Sequence, residues 1–224
     1  MAQLIDVATP AGLARAHVHP AAPRRRPGDR PTTLVLGHGA GGGVDARDLA
    51  ALAVDLPARG VTVVLVEQPW RVAGGRVGAA APRLDQAWIA VLADPSVRSL
   101  LRGTLVVGGR SAGARVACRT AAAVGAGAVV CLAFPLHPPG RPDRSRAAEL
   151  LGAGARTLVV QGERDPFGAP AELPSGPTVV AVPCADHGFA VPARAAVTQG
   201  EALGLVVAAV ARFVAAGQPD RGTG

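Results

Sequence analysis

The chain has 224 residues, 49% of them hydrophobic, with 23 basic against 16 acidic side chains and a net charge of +7. That length supplies one domain with a large core and does not require a second. Every basic residue is arginine, and the one basic run, Arg24 to Arg26, carries no interleaved aromatic rings on which bases could stack, so nucleic acid is not an expected partner.

The chain opens on two short runs, Leu4 to Val7 and Leu13 to His19, separated by "ATPAG", which predict an N-terminal β-hairpin. Asp6 falls where a secretory leader would be apolar, so a cytoplasmic location is expected. His17 and His19 share a face of the second strand, but no third ligand in the sequence makes them a metal site. After the loop "PAAPRRRPGDRP" come six runs rich in β-branched residues and leucine: Thr33 to Leu36, Val61 to Val66, Thr104 to Val107, Ala128 to Leu132, Thr157 to Val160 and Thr178 to Val182. They are apolar throughout rather than alternating, as strands covered on both faces are. Helical stretches lie between them at Asp48 to Leu56, Leu84 to Leu92, Ala112 to Ala123 and Ser145 to Leu151, with a last helix near Glu201 to Ala216. The alternation predicts an α/β, doubly wound, mostly parallel sheet. The apolar stretch Ala202 to Ala211 is too short for the ~20 residues that span a bilayer and reads as a buried helix. The tail from Gly217 has nothing to bury and is expected to be disordered, leaving 1–216 as the domain. Cys118, Cys131 and Cys184 have neither an even count nor C-x-x-C spacing, so buried free thiols are expected.

In open parallel sheets the chemistry gathers at the carboxyl ends of strands. "LGHGAGGG", after the first parallel strand, admits two readings. From Gly37 it satisfies G-x-G-x-x-G, a dinucleotide loop, and Glu67 at the end of the next strand could then hold a ribose. From His38 it is a loop supplying a backbone N–H to an oxyanion hole. The strand Thr104 to Val107 runs into "GGRSAGAR", where Gly109, Ser111 and Gly113 form G-x-S-x-G ahead of a helix, the pattern of a nucleophile on a sharp turn. A P-loop is excluded, because Ala114 and Arg115 stand where Lys and Ser/Thr are needed. "QGERDPFG" places Asp165 past the next-to-last strand, and "PCADHGF" places His187 past the last. The order Ser, Asp, His is that of a hydrolase triad, and it leaves the dinucleotide reading with three unexplained residues. Ser111 is then the nucleophile, His187 the base and Asp165 its orienting carboxylate; Ala112 supplies one oxyanion N–H and Ala40 or Gly41 the other. Pocket candidates are His38, Trp70, Arg110, Phe134 and His137, from loops at strand ends, with Arg164 beside the carboxylate able to attract an acidic substrate.

On "LGHGAGGG", "GGRSAG", "FPLHPPGRP", "LVVQGERDPFG" and "DHGF", the sequence resembles the α/β-hydrolase superfamily from about Leu34 to Phe213. It resembles most the small dienelactone-hydrolase-like branch that includes testis-expressed and NSL-complex-subunit hydrolase-like proteins and their bacterial relatives. The resemblance implies a triad of Ser111, Asp165 and His187, no cofactor, and a small acyl substrate. Serine stands where true dienelactone hydrolases carry cysteine, which separates the chain from that substrate. A catalytically silent binding or scaffold protein of the same fold is the alternative. About twenty residues between Phe134 and Thr157 leave no room for a cap domain, so an open cleft is expected.

Overall fold

In the computed structural model, which describes residues 3–23, 31–75 and 78–216, eight strands form one sheet in the order β1-β2-β4-β3-β5-β6-β7-β8. The hairpin β1 (Gln3–Thr9) and β2 (Gly12–His19) is antiparallel, and β2 joins the rest antiparallel to β4 (Val61–Glu67). From β4 onward, β3 (Thr32–Gly37), β5 (Thr104–Arg110), β6 (Ala128–Leu132), β7 (Arg156–Gly162) and β8 (Thr178–Val182) are parallel. The Arg24 to Arg26 run and the tail from Gly217 lie outside the described residues.

The unbroken apolar runs follow from the two cores they serve. Leu34, Leu36, Val63, Leu65, Val130, Leu132, Leu158 and Val160 turn to one face, where helices α1 (Arg47–Asp55) and α7 (Gln199–Ala216) cover them. Val35, Val64, Val107, Val129, Cys131 and Val159 turn to the other, beneath α3 (Ala81–Ala93), α5 (Ala112–Thr120) and α6 (Ala147–Leu151). Successive strand residues thus bury into opposite layers, and neither set can be polar. Edge strand β8 departs from the expectation: Thr178, Val179 and Ala181 are exposed, and among the described residues no further strand pairs beyond it.

Two short helices, α2 (Pro69–Val72) and α4 (Pro95–Arg98), carry too few residues for a periodicity to show; each has proline in its first turn, and the Asp94 carboxylate caps the second by accepting from Ser96 and Val97 N–H. Helix α7 is 18 residues long, well beyond the ten-residue stretch weighed against a bilayer, and by length and composition alone could cross one. Here it is a core helix on one side: Val206, Val210 and Phe213 are buried, and the Arg156 guanidinium stacks 4.0 Å above the Phe213 ring. Cys118 and Cys131 are buried free thiols with their sulfurs 3.5 Å apart, whereas Cys184 is partly exposed beside the last strand.

Strand β5 is longer than the sequence suggested. Gly108 and Gly109 read as a turn but continue the strand to Arg110, since a side chain on Gly109 would strike the Gly37 carbonyl and the backbone of Gly113, both 2.6 Å from its Cβ. The glycines let β3, β5 and α5 close on one another at the strand end, and they set the next residue, Ser111, on the exit from the sheet.

Candidate active site

Ser111 leaves β5 with φ 53° and ψ −110°, a conformation unfavourable for any side chain larger than hydrogen, and α5 starts at the next residue. This lifts the hydroxyl out of the sheet, over the helix N-terminus. His187 comes from the loop after β8, with Nε2 2.9 Å from the Ser111 Oγ. Its Nδ1 lies 2.8 Å from Oδ2 of Asp165. Because a carboxylate offers only acceptors, Nδ1 carries the proton and Nε2 is left to accept from the serine hydroxyl. Asp165 is 4% exposed and is held on both oxygens: Oδ1 accepts from Phe167 N–H at 2.8 Å, and Oδ2 also accepts from Gln161 Nε2 at 2.9 Å. The Phe167 ring lies 4.2 Å from the His187 ring and shields one face of it.

Across the serine stands the His38 loop. His38 is 3% exposed, and its Nε2 accepts from the Gln68 backbone N–H at 3.0 Å, so the proton is on Nδ1, which donates to the Gly39 carbonyl at 2.9 Å. Burial pushes the imidazole below its ordinary range, and the bond to Gly39 opposes this only in part. The Gly39 carbonyl also closes a turn by accepting from Gly42 N–H. With that carbonyl turned toward the ring, planarity of the peptide turns the Ala40 N–H the other way. Among the described residues, the Ala40, Gly41 and Ala112 N–H groups have no hydrogen-bond partner.

A cavity of about 290 Å³ opens on this side, bounded by His38, Ala40, Trp70, Leu84, Ala112 and Val116, with Arg115 and Arg119 also in its lining. Trp70 meets His38 edge-on, ring centres 5.4 Å apart. A second cavity, of about 380 Å³, lies behind Trp70 and reaches the β1–β2 turn; the two share Gln68, Trp70, Ala79 and Leu84. Arg115 and Arg119 are tied to Glu149, and Arg119 also to Asp85, in a network joining α3, α5 and α6.

Of the pocket residues expected from sequence, His38 and Trp70 line the cavity. Arg110, Phe134 and His137 do not. Arg110 folds beneath the loops instead, toward Asp48 and the His187 carbonyl, because the strand continues through it and turns its side chain inward. Phe134 is wholly buried, its carbonyl accepting from Gln161. His137 is a tie between loops: Nδ1 meets the Pro138 carbonyl at 3.0 Å and Nε2 the Glu172 carboxylate at 3.1 Å, two acceptors that together call for the doubly protonated ring. Those partners raise its pKa, the Pro138 carbonyl most. Arg164 is exposed. Glu67, the ribose-binding residue of the rival reading, is engaged by His17 at 3.1 Å. Gln161, Phe167 and Asp48 were not singled out from sequence; only Gln161 left a signal there, a polar residue ending an apolar strand four positions before Asp165. Among the described residues no group of three side chains could hold a metal ion.

A serine on the elbow of a doubly wound, mostly parallel sheet without a cap is the architecture of the α/β hydrolases. The chain matches the alpha/beta hydrolase domain family over residues 30–215 and belongs to it. It is similar to an α/β serine hydrolase without lid from Xanthomonas campestris, at 25% identity and TM-score 0.69, covering 95% of this chain and 94% of that one. Dienelactone hydrolase from Anabaena variabilis shares the fold at 18% identity and TM-score 0.68, covering 96% and 97%. The esterase domain of a Rhodothermus marinus protein does so at 9% identity and TM-score 0.65, covering 95% and 97%. No curated protein matches the sequence.

Proposed function

We propose that the protein is a serine hydrolase cleaving small esters, thioesters or related acyl compounds through a covalent acyl-enzyme. The reading rests on the continuous chain from Ser111 Oγ through His187 to Asp165, at 2.9 and 2.8 Å. His187 takes the serine proton as Oγ attacks the acyl carbon, and returns it to the leaving group; the same histidine then activates water to release the acid. Asp165 keeps the ring in the required tautomer. Charge on the acyl oxygen falls between the Ala112 and Ala40 N–H groups, near the positive end of α5. The acyl group enters the 290 Å³ cavity, whose lining is mainly apolar and whose size sits at the small end of ligand pockets.

The test is labelling by a fluorophosphonate, which requires an activated nucleophile and a stabilised oxygen together. Purified protein should label at Ser111, and Ser111→Ala should remove the label. A folded wild-type chain that stays unlabelled beside other serine hydrolases returns the protein to the scaffold reading.

A further inference from the structure

Directly before the nucleophile stands a buried ion pair that the acyl chemistry does not use. Asp48, in the first turn of α1, is 0% exposed, and among the described residues neither carboxylate oxygen makes a well-formed hydrogen bond. Among the described residues its one ion-pair partner is Arg110, whose Nε lies 3.4 Å from Oδ1 without the geometry of a hydrogen bond. Burial accordingly pushes the Asp48 carboxyl up, opposed first by Arg110, then by the backbone N–H groups of Asp48 and Leu49, and least by Arg47. Such a pair stabilises a fold poorly; two apolar side chains of similar volume would serve as well or better.

What the pair does achieve is placement. The Arg110 side chain is 16% exposed, and its one hydrogen bond among the described residues runs from Nη2 to the His187 carbonyl at 3.1 Å. The guanidinium also fills the space a side chain would need at two glycines. A Cβ on Gly39 would lie 3.2 Å from Nη1, and one on Gly188 would lie 3.3 Å from Nη2. Gly39 precedes the Ala40 N–H, and Gly188 follows the histidine. One planar group therefore touches the His38 loop, the turn carrying Ser111 and the loop carrying His187, while α1 holds it from behind through Asp48.

We infer that the Arg110–Asp48 pair is a positioning device, which fixes the separation of His187 from Ser111 and from the Ala40 N–H by clamping the histidine carbonyl against the glycine loop. This rests on the hydrolase reading above. Arginine suits the task because its donors are held in one rigid plane, where the lysine ammonium is a single point at the end of a flexible stem. Small displacements matter here, since about 1 Å of misplacement can cost ~10²-fold in rate.

The deciding variant is Arg110→Met with Asp48→Leu, compared with Arg110→Lys, all assayed well below their melting temperatures on a small neutral ester. The double variant should melt at or above the wild-type temperature, yet lose about 10- to 100-fold in kcat with KM within about twofold, and label correspondingly more slowly. Arg110→Lys keeps a charge beside Asp48 and should show a loss of the same order. A merely structural pair would give wild-type kcat wherever the fold is intact; wild-type kcat in either folded variant overturns the inference, and Arg110→Lys decides alone should the double variant not fold. Should the wild-type protein resist the probe, the hydrolase reading fails separately. The clamp is then read from the low-field proton resonance of His187 Nδ1–H, which should broaden in the variants and, if unchanged, removes it.

Discussion

The two flanks of Ser111 are built on opposite plans. On the histidine side the side chains are tied to one another: the Asp165 carboxylate accepts three hydrogen bonds, one of them from Gln161 on the strand, and Arg110 grips the His187 carbonyl. On the other side the Ala40, Gly41 and Ala112 N–H groups have no hydrogen-bond partner among the described residues, and the wall beyond them is Trp70, Leu84 and Val116. In the proposed mechanism a proton travels one path, and that calls for a first flank that is rigid before substrate arrives. In that mechanism charge develops on the second flank only during the reaction, and donors left unsatisfied until then would favour the transition state over the resting state. Even there the orphan N–H is not loose, because His38 fixes the peptide that bears it.

The contrast can be broken first at its most rigid point. Asp165→Asn keeps the shape but disturbs the histidine tautomer, and kcat/KM should fall by as much as ~10⁴, the loss known for the equivalent change in a protease triad; progress curves on a chromogenic ester measure it. Removing the support of the other flank should cost less. His38→Leu leaves the Gly39 carbonyl held only by the long bond from Gly42 N–H, and kcat should drop by about 10- to 100-fold with KM nearly constant, short of the ~10²–10³ lost when an oxyanion donor is deleted outright.

The same substitution has a pH signature. The folded pKa of His38 is depressed, so its contribution to stability is complete above the unfolded value of ~6.5 and is lost as pH falls toward the folded value. Urea midpoints at pH 7.5 and pH 5 should therefore move in favour of His38→Leu on acidification. A gap that does not change with pH would separate the ring's charge from the loop.

Trp70→Ala sharpens the comparison on the substrate side. By joining the 290 and 380 Å³ cavities it should raise kcat/KM for octanoyl over acetyl esters by about tenfold, leaving the labelling rate of Ser111 by a small probe unchanged.

The smallest effect belongs to the His137–Glu172 tie. The folded pKa of His137 is raised, so the stability it brings is complete below ~6.5 and is lost as pH rises through the folded value. Glu172 is 48% exposed, so Glu172→Gln should cost under ~1 kcal/mol. The melting temperature should fall by no more than about 2–4 °C at pH 5.5 and by less at pH 8.5.

Much of the fold was legible because a strand covered on both faces announces itself as an unbroken apolar run; Ala128–Leu132 was bounded to the residue on that ground, and Thr178–Val182 was bounded to the residue too, although β8 is largely exposed. Ser111, Asp165 and His187 could be read as a set because chain order and strand ends together constrain them, and the structure brings the three side chains within hydrogen-bond distance. Arg110 shows where such reading stops. A residue at a strand end can face the cleft or the core, and local sequence does not say which when the strand continues through a glycine pair. Asp48 was hidden for a related reason: an acid in the first turn of a helix is ordinarily a solvated dipole partner, and only the tertiary packing of α1 against the loops buries it. His38 and Trp70 were visible in and beside the strand-end glycine loops, whereas the bond from Gln161 needed the three-dimensional return of the chain toward Asp165.

The hydrogen bond from His187 to Ser111 joins residues 76 positions apart, and the histidine belongs to the loop after the last strand of the sheet. A chain still emerging during synthesis can pair β3 with β4 and later with β5, but its serine has no base until β8 and its loop have left the ribosome. Non-local pairings of this kind close late and slowly. Recovery of Ser111 reactivity in a refolding experiment is consequently a report on the whole sheet, and reactivity should return no earlier than the slowest signal of strand assembly.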